Sequence, residues 1–308
     1  MKILVVGHFC MDRIHPESGN PVESYGGIYY SVMTLASLLG KDDSVVPVFG
    51  VNKSDYGPLL DHLGQFSNID TRGIFKFEEP TNRVELFYGN KAERREQSTN
   101  IAAPIPYKKI RRYLSADGIL LNMISGFDLT LETLDQIRMT VRSHGIPIHF
   151  DFHSLTLGVT GDNGRVRRPL VDWRRWAFMT DTVQLNEEEA AGLSEQPMTE
   201  RELAGHLLTL SVKGVVVTKG KSGATVYSNE KKKIVSSDVP AEGRVSVADA
   251  TGCGDVFGAA FLLEYLRTKD LQAAARAGNE IAGRKATTVG SGRLHDTLTG
   301  KPAGREST

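Results

Sequence analysis

From Asp255 to Leu266 the chain is apolar nearly all the way round a helix. Val256, Phe257, Ala259, Ala260, Phe261, Leu262, Leu263, Tyr265 and Leu266 leave almost no polar face. Such a helix cannot lie on a surface and must be a central, buried element. Its first N–H groups and the positive end of its dipole still need partners. The preceding loop, Ala248-Asp249-Ala250-Thr251-Gly252-Cys253-Gly254, holds two glycines. Gly252 and Gly254 let an anion approach the backbone closely, so the loop is a candidate cradle for a phosphate or oxyanion. Asp255 stands on the first helical turn, facing whatever the cradle holds. An aspartate capping a core helix after a glycine turn explains the spacing equally well, so the loop alone does not decide the chemistry.

Two look-alike motifs are excluded. Gly252-Cys253-Gly254 with Gly258 is one residue too long for the dinucleotide fingerprint and follows an irregular loop. Gly214 through Gly220-Lys221-Ser222 has five residues between its glycines where a P-loop has four, and Val215-Val216-Val217 fills that gap as a strand.

The 308 residues accommodate one large α/β domain or two ordinary ones. Lys plus Arg (37) balances Asp plus Glu (37), which argues against nucleic acid and anionic membranes as partners. Lys231-Lys232-Lys233, the only basic run, reads as a solvated hairpin turn. Two cysteines, Cys10 and Cys253, support neither a disulfide framework nor a cysteine metal site. The apolar start, Met1 to Gly7, is too short for a signal peptide, and nothing approaches a transmembrane span. The expectation is a cytoplasmic protein.

Ile3-Leu4-Val5-Val6 reads as a strand buried on both faces. Helices are expected at Ile28–Leu39, Tyr56–Leu63, around Leu131–Val141, from the capping box Thr199-Glu200-Arg201-Glu202 to about Val212, and at Leu271–Ala286. Strands are expected at 44–49, 118–124, 146–152, 182–185 and 214–218, with a hairpin at 224–227 and 233–236. This alternation predicts a three-layer α/β core, a mostly parallel sheet flanked by helices. Between Thr71 and Asn100 the residues alternate as in an antiparallel sheet with one wet face. The predicted division is a core of 1–12, 28–70 and 101–300 with a small β lid of 13–27 and 71–100 beside it, and 301–308 is a disordered tail. Asp12, Asn186, Thr218 and the 249–255 loop each follow an apolar strand, so they can converge at one sheet edge.

These pieces resemble the PfkB (ribokinase-like) family of sugar and nucleoside kinases. Asp249 with Thr251-Gly252-Cys253-Gly254-Asp255 resembles the family's D-T-x-G-A-G-D signature. Gly26-Gly27 followed by a helix to Leu39-Gly40 resembles its first signature. Asn186-Glu187-Glu188-Glu189 is similar to its N-x-x-E motif, and Thr218-Lys219-Gly220-Lys221-Ser222-Gly223 to its T-x-G-x-x-G loop.

The resemblance implies a kinase that moves the γ-phosphoryl of ATP to a hydroxyl of a sugar or nucleoside. Asp255 is then the general base, and the N–H groups of Gly252, Cys253 and Gly254 form the anion hole. Asn186 and Glu189 orient phosphates and hydrated Mg²⁺. Thr218, Gly220, Gly223 and Asn279 line the nucleotide, and Asp12, Gly27 and Ser31 bind the acceptor. The resemblance also implies that the nucleotide site lies in the core and that the lid sits over the substrate site. The family's monovalent-cation site, for K⁺, falls at Asp249, Thr251 and Gly290, and its lid sheet implies a homodimer. Ser31 stands where the family has Asn, and Tyr30 where it has a small residue. With Phe9, Tyr25 and Tyr29 this gives an aromatic entrance that either stacks on a nucleobase or packs as core. A nucleoside kinase and a non-catalytic sugar or nucleotide sensor stay open as alternatives. Arg83, Arg94 and Arg95 are candidates for a phosphate on the acceptor.

Overall fold

In a computed structural model of the chain, Ile3, Leu4, Val5 and Val6 are all fully buried, and alternate residues serve opposite sides of one sheet. Leu4 and Val6 enter one apolar cluster with Phe150, Val183 and Val215; Ile3 and Val5 enter another with Ile28, Leu35 and Leu262. A strand wetted on neither face needs helices on both, which is why these runs are continuous and not alternating. The structure describes residues 1–16, 19–88, 94–241, 243 and 246–300, with the backbone alone at Arg94. Residues 89–93, the Arg94 side chain and the tail expected at 301–308 lie outside the described residues.

In chain order the strands are β1 (Lys2–Val6), β2 (Phe9–His15), β3 (Val22–Gly27), β4 (Ser44–Val48), β5 (Gly50–Asn52), β6 (Phe75–Phe77), β7 (Arg83–Tyr88), β8 (Arg94–Thr99), β9 (Gly118–Asn122), β10 (Ile148–Asp151), β11 (Leu157–Val159), β12 (Arg165–Arg167), β13 (Thr182–Asn186), β14 (Gly214–Thr218), β15 (Ala224–Glu230) and β16 (Lys233–Val239). The helices are α1 (Ile28–Leu38), α2 (Lys53–Leu63), α3 (Tyr107–Ile110), α4 (Leu131–Val141), α5 (Trp173–Phe178), α6 (Glu187–Gly192), α7 (Glu200–Thr209), α8 (Cys253–Thr268), α9 (Leu271–Lys285) and α10 (Leu294–Thr299).

The main sheet runs β16-β15-β14-β13-β10-β9-β1-β4. From β14 to β4 every pairing is parallel, and the β15–β16 hairpin adds an antiparallel edge. A second sheet, β3-β2-β7-β8, is antiparallel except for β2 beside β7. It starts at Phe9, earlier than the alternation suggests. Phe75–Phe77 does not join it: β6 pairs with β5, and the Gly50 backbone, where a Cβ would stand 2.6 Å from the Phe75 ring, admits that approach.

Helix α8 is apolar all round because it is packed all round. Val256, Ala259, Leu262 and Leu263 join the cluster beneath β1 and α1; Phe257, Phe261 and Tyr265 join another with Val216 and Ala274. Each buried Leu or Phe contributes roughly 1.5–3 kcal/mol, enough to outweigh the helix-weakening Gly258. That glycine has a purpose, since a Cβ there would stand 2.9 Å from Gln184 Oε1 on β13. Among the described residues no helix is long and apolar enough to cross a membrane.

Candidate active site

The loop before α8 turns at Gly252, whose φ of 76° and ψ of 0° lie in the left-handed region. A side chain there would enter the ring of Tyr30, 2.4 Å from Cδ1, so Tyr30 forms the floor of the glycine turn. Asp255 sits on the first turn of α8 with 6% of its side chain exposed. Asn122, at the end of β9, donates to its Oδ1 at 2.8 Å and to Ser31 Oγ at 3.1 Å. Ser31 in turn donates to the Asp255 carbonyl at 3.3 Å. Gln184 ties the same turn to the sheet, donating to the Gly254 carbonyl at 3.0 Å and to Asp151 Oδ2 at 3.1 Å. The Cys253 thiol lies 3.7 Å from the Ala282 carbonyl.

His153 follows β10 with a φ of 36°, a strained value for a non-glycine residue. Its Nε2 lies 4.0 Å from Asp255 Oδ1, and its side chain is 29% exposed. Burial pulls its pKa down, but Asp255 and Asp151 outweigh burial and hold it above 6.5. Burial raises Asp151 well above the usual carboxylate range and raises Glu189 as well, with His153 opposing both. Four titratable groups thus meet at one point of the sheet edge. Among the described residues no group of three His, Cys, Asp or Glu side chains is arranged to hold a metal ion directly. These donors fit a hydrated Mg²⁺ held through water, the usual mode for that ion, and not a protein cage.

Among the residues expected to line a nucleotide, Asn186 and Thr218 pair across β13 and β14. Asn186 caps α6 in a closed capping box: its Oδ1 accepts from Glu189 N at 2.8 Å, and Glu189 Oε2 accepts from Asn186 N at 2.9 Å. Glu189 Oε1 also accepts from Asn186 Nδ2 at 2.7 Å. The N-x-x-E spacing is therefore first of all a helix start. Gly220 and Gly223 turn with φ of 51° and 97°, and a Cβ on Gly223 would stand 2.2 Å from the Val239 carbonyl. Asn279 is buried, donating to that carbonyl at 2.8 Å and to that of Pro240 at 3.3 Å.

Among the residues expected to bind an acceptor, Asp12 is 4% exposed, and its carboxylate lies against Gly26, where any Cβ would be 2.1 Å from it. Gly27, with φ of 61°, packs against the His8 carbonyl. Burial, then Asp12, raises the Cys10 thiol well above its ordinary value. Burial likewise raises the Tyr30 phenol, followed by the charges of Asp12, Asp249 and Asp255, so these three carboxylates surround one ring. Ser31 corrects the expectation of an acceptor-binding hydroxyl. It is fully buried behind Asp255, and its oxygen is taken up by Asn122 and the Asp255 carbonyl. Of the two readings open for the aromatic residues, Tyr30, Phe9 and most of Tyr29 take the packed one. Tyr29 and Tyr30 are 3% and 1% exposed, and Phe9 is stacked on Phe49 at 5.3 Å between centroids. Tyr25 stays half-buried and, with Asp12, Arg13, Tyr29, His62 and Arg83, lines a cavity of about 400 Å³. Neither the 252–254 loop nor Asp255 lines that cavity.

The residues expected to hold K⁺ do not fit a bound ion. Thr251 and Gly290 do meet Asp249, donating their N–H groups to its carboxylate, but Lys285 Nζ already occupies the Asp249 carbonyl at 3.2 Å, its Oδ2 at 3.1 Å and the Thr288 carbonyl at 3.0 Å. Burial raises the Asp249 pKa, yet Lys285 with the Gly290 and Thr251 N–H groups brings it below 3.8. Sequence reasoning missed His153, Asn122, Gln184 and Lys285. It also missed Arg165, which donates to the Ser125 carbonyl at 2.6 Å, while its Nε and Nη1 have no hydrogen-bond partner among the described residues. Of these, only Asn122, at the end of a buried strand, and Gln184, a polar residue within one, had a sequence signal.

Residues 166–297 match the profile of the pfkB family carbohydrate kinases. The chain is 24% identical over 295 residues to a cytidine kinase of Thermococcus kodakarensis, covering 92% of this chain and 95% of that one. Its fold is that of a pyrophosphate-dependent kinase in the ribokinase family (TM-score 0.78, 17% identity, 96% and 99% of the two chains). A ribokinase from Thermotoga maritima superimposes with a TM-score of 0.73 at 22% identity, over 96% of this chain and 95% of that one.

Proposed function

We propose that the chain is a kinase of the pfkB carbohydrate-kinase type, a phosphotransferase acting on a hydroxyl of a sugar or nucleoside, with Asp255 as its general base and ATP as its donor. The carrying observation is the setting of Asp255. It stands on the first turn of a buried helix, beside a glycine turn, with Asn122 orienting Oδ1 at 2.8 Å. In the step, the acceptor oxygen attacks the γ-phosphorus and its proton passes to Asp255. The bond from that phosphorus to the β–γ bridging oxygen breaks, and ADP leaves with that oxygen. The N–H groups at Gly252, Cys253 and Gly254 and the α8 dipole stabilise the migrating charge. Asn186 and Glu189 would hold a hydrated Mg²⁺ through water, and the ion would supply neutralisation of phosphate charge. Thr218, Gly220 and Gly223 border the nucleotide, Asn279 fixes the Val239–Pro240 backbone beside it, and Asp12 and Gly27 meet the acceptor. The β3-β2-β7-β8 sheet covers the acceptor and is the surface for a homodimer.

The test is ADP release from Mg-ATP across ribose, hexoses, phosphosugars, myo-inositol and nucleosides including cytidine, with inorganic pyrophosphate as a parallel donor. At least one acceptor should give turnover, and Asp255→Asn should lower it by about 10²–10⁴-fold while ATP still raises the melting temperature. Full activity in that variant would refute the base; no acceptor-dependent turnover anywhere would favour a sensor.

A further inference from the structure

Lys285, the last residue of α9, is fully buried, an unusual place for a lysine. Its Nζ donates to the Asp249 carbonyl at 3.2 Å, Asp249 Oδ2 at 3.1 Å and the Thr288 carbonyl at 3.0 Å. An ammonium has three N–H bonds, and here three oxygens accept them. Below Nζ, the Tyr30 ring centroid is 5.7 Å away, within range of a cation–π contact. This is the same ring on which the Gly252 turn rests.

The arrangement continues into the anion cradle. Asp249 Oδ2 also accepts from Gly290 N at 2.9 Å, and Oδ1 accepts from Thr251 N at 2.8 Å. Thr251 directly precedes Gly252, the cap of α8. We propose that the Lys285 ammonium is the resident cation of this loop, so that phosphotransfer by this chain requires no bound monovalent ion. A potassium ion placed among these oxygens would have to displace Nζ, since two cations about 3 Å apart repel strongly. A cation carried on α9 also loses no translational freedom on binding, so the loop keeps its shape whatever the salt. Lys285 is thus a positioning residue, acting on the cradle through Asp249 and Thr251.

The inference rests on the kinase reading only in its activity arm; its stability arm needs no turnover. Thermal unfolding of the full chain is measured in potassium, ammonium, sodium and choline chlorides at equal ionic strength. The natural protein should melt within about 1–2 °C in all four, and its turnover should change by less than about twofold. Lys285→Met, similar in length but uncharged, strands a buried carboxylate and should lower the melting temperature by roughly 5–15 °C. Lys285→Ala, which opens the space, should recover part of its loss in potassium or ammonium and none in choline, with kcat recovering more than KM. A natural protein that gains stability or activity specifically from potassium overturns the proposal, as does a Lys285→Met variant that melts unchanged. If neither variant folds, the salt series on the natural protein still decides. If no acceptor is turned over, the kinase reading falls while the melting series still judges Lys285.

Discussion

His153 holds a strained backbone, with φ of 36°, in order to stand between Asp255 and Asp151. Its raised pKa means that the fold favours imidazolium over the unfolded chain. That stabilisation is complete below the ordinary value of 6.5 and is lost as pH climbs through the raised one. His153→Gln lacks it, so the natural protein should out-melt the variant at low pH, with the gap shrinking as the pH rises above 6.5 through the raised value. At this chain length about 1 kcal/mol of coupling corresponds to roughly 2–4 °C. A gap that does not change with pH would show that His153 is neutral throughout. Nothing in the order Asp151-Phe152-His153 marks it as part of a site. It arrives there because β10 lies beside β13, which brings its loop against the start of α8.

At the scale of the element, Gly252 and Gly254 look equivalent in sequence and are not. Gly252 has a φ of 76° and meets the Tyr30 ring; Gly254 has no positive φ, and a Cβ there finds only Gln184 Nε2 at 3.8 Å. Gly252→Ala should cost about 2–4 kcal/mol in chemical unfolding, combining left-handed strain with overpacking. Gly254→Ala should stay within about 1 kcal/mol, so any loss of activity in it reports on anion approach and not on folding. Equal costs for the two would refute this account of the turn. Helix α6 carries a related lesson. Its Asn186-x-x-Glu189 spacing is legible as a site motif, but the same atoms close a capping box, and one spacing serves both needs.

For the whole molecule, the smaller sheet is joined to the organising loop by Tyr88 on β7, whose hydroxyl lies 3.0 Å from Asp249 Oδ1 and 2.6 Å from Thr251 Oγ1. Ser291 adds a bond to the Tyr25 carbonyl at 2.6 Å. Tyr88→Phe should shift the melting temperature by only about 1–4 °C, in keeping with one hydrogen-bonding group lost. It should also raise the acceptor KM several-fold, because the cover over the acceptor loses its tie to the loop; unchanged kinetics would mean that the tie is not functional. The α/β core, the central place of α8 and the strand ends that carry Asn186 and Thr218 were determined by sequence alone, whereas Asp12, expected after the first strand, stands inside β2 of the smaller sheet. Runs buried on both faces and a helix with no wet side leave a chain few other solutions. Tertiary structure decided that Ser31 turns behind Asp255, that β6 leaves the smaller sheet, and that Tyr29 and Tyr30 pack inward. It also decided that Lys285, remote from Asp249 in sequence, reaches its carboxylate. Each of these depends on which residues meet across the sheet, and periodicity along one chain carries no information about its neighbour.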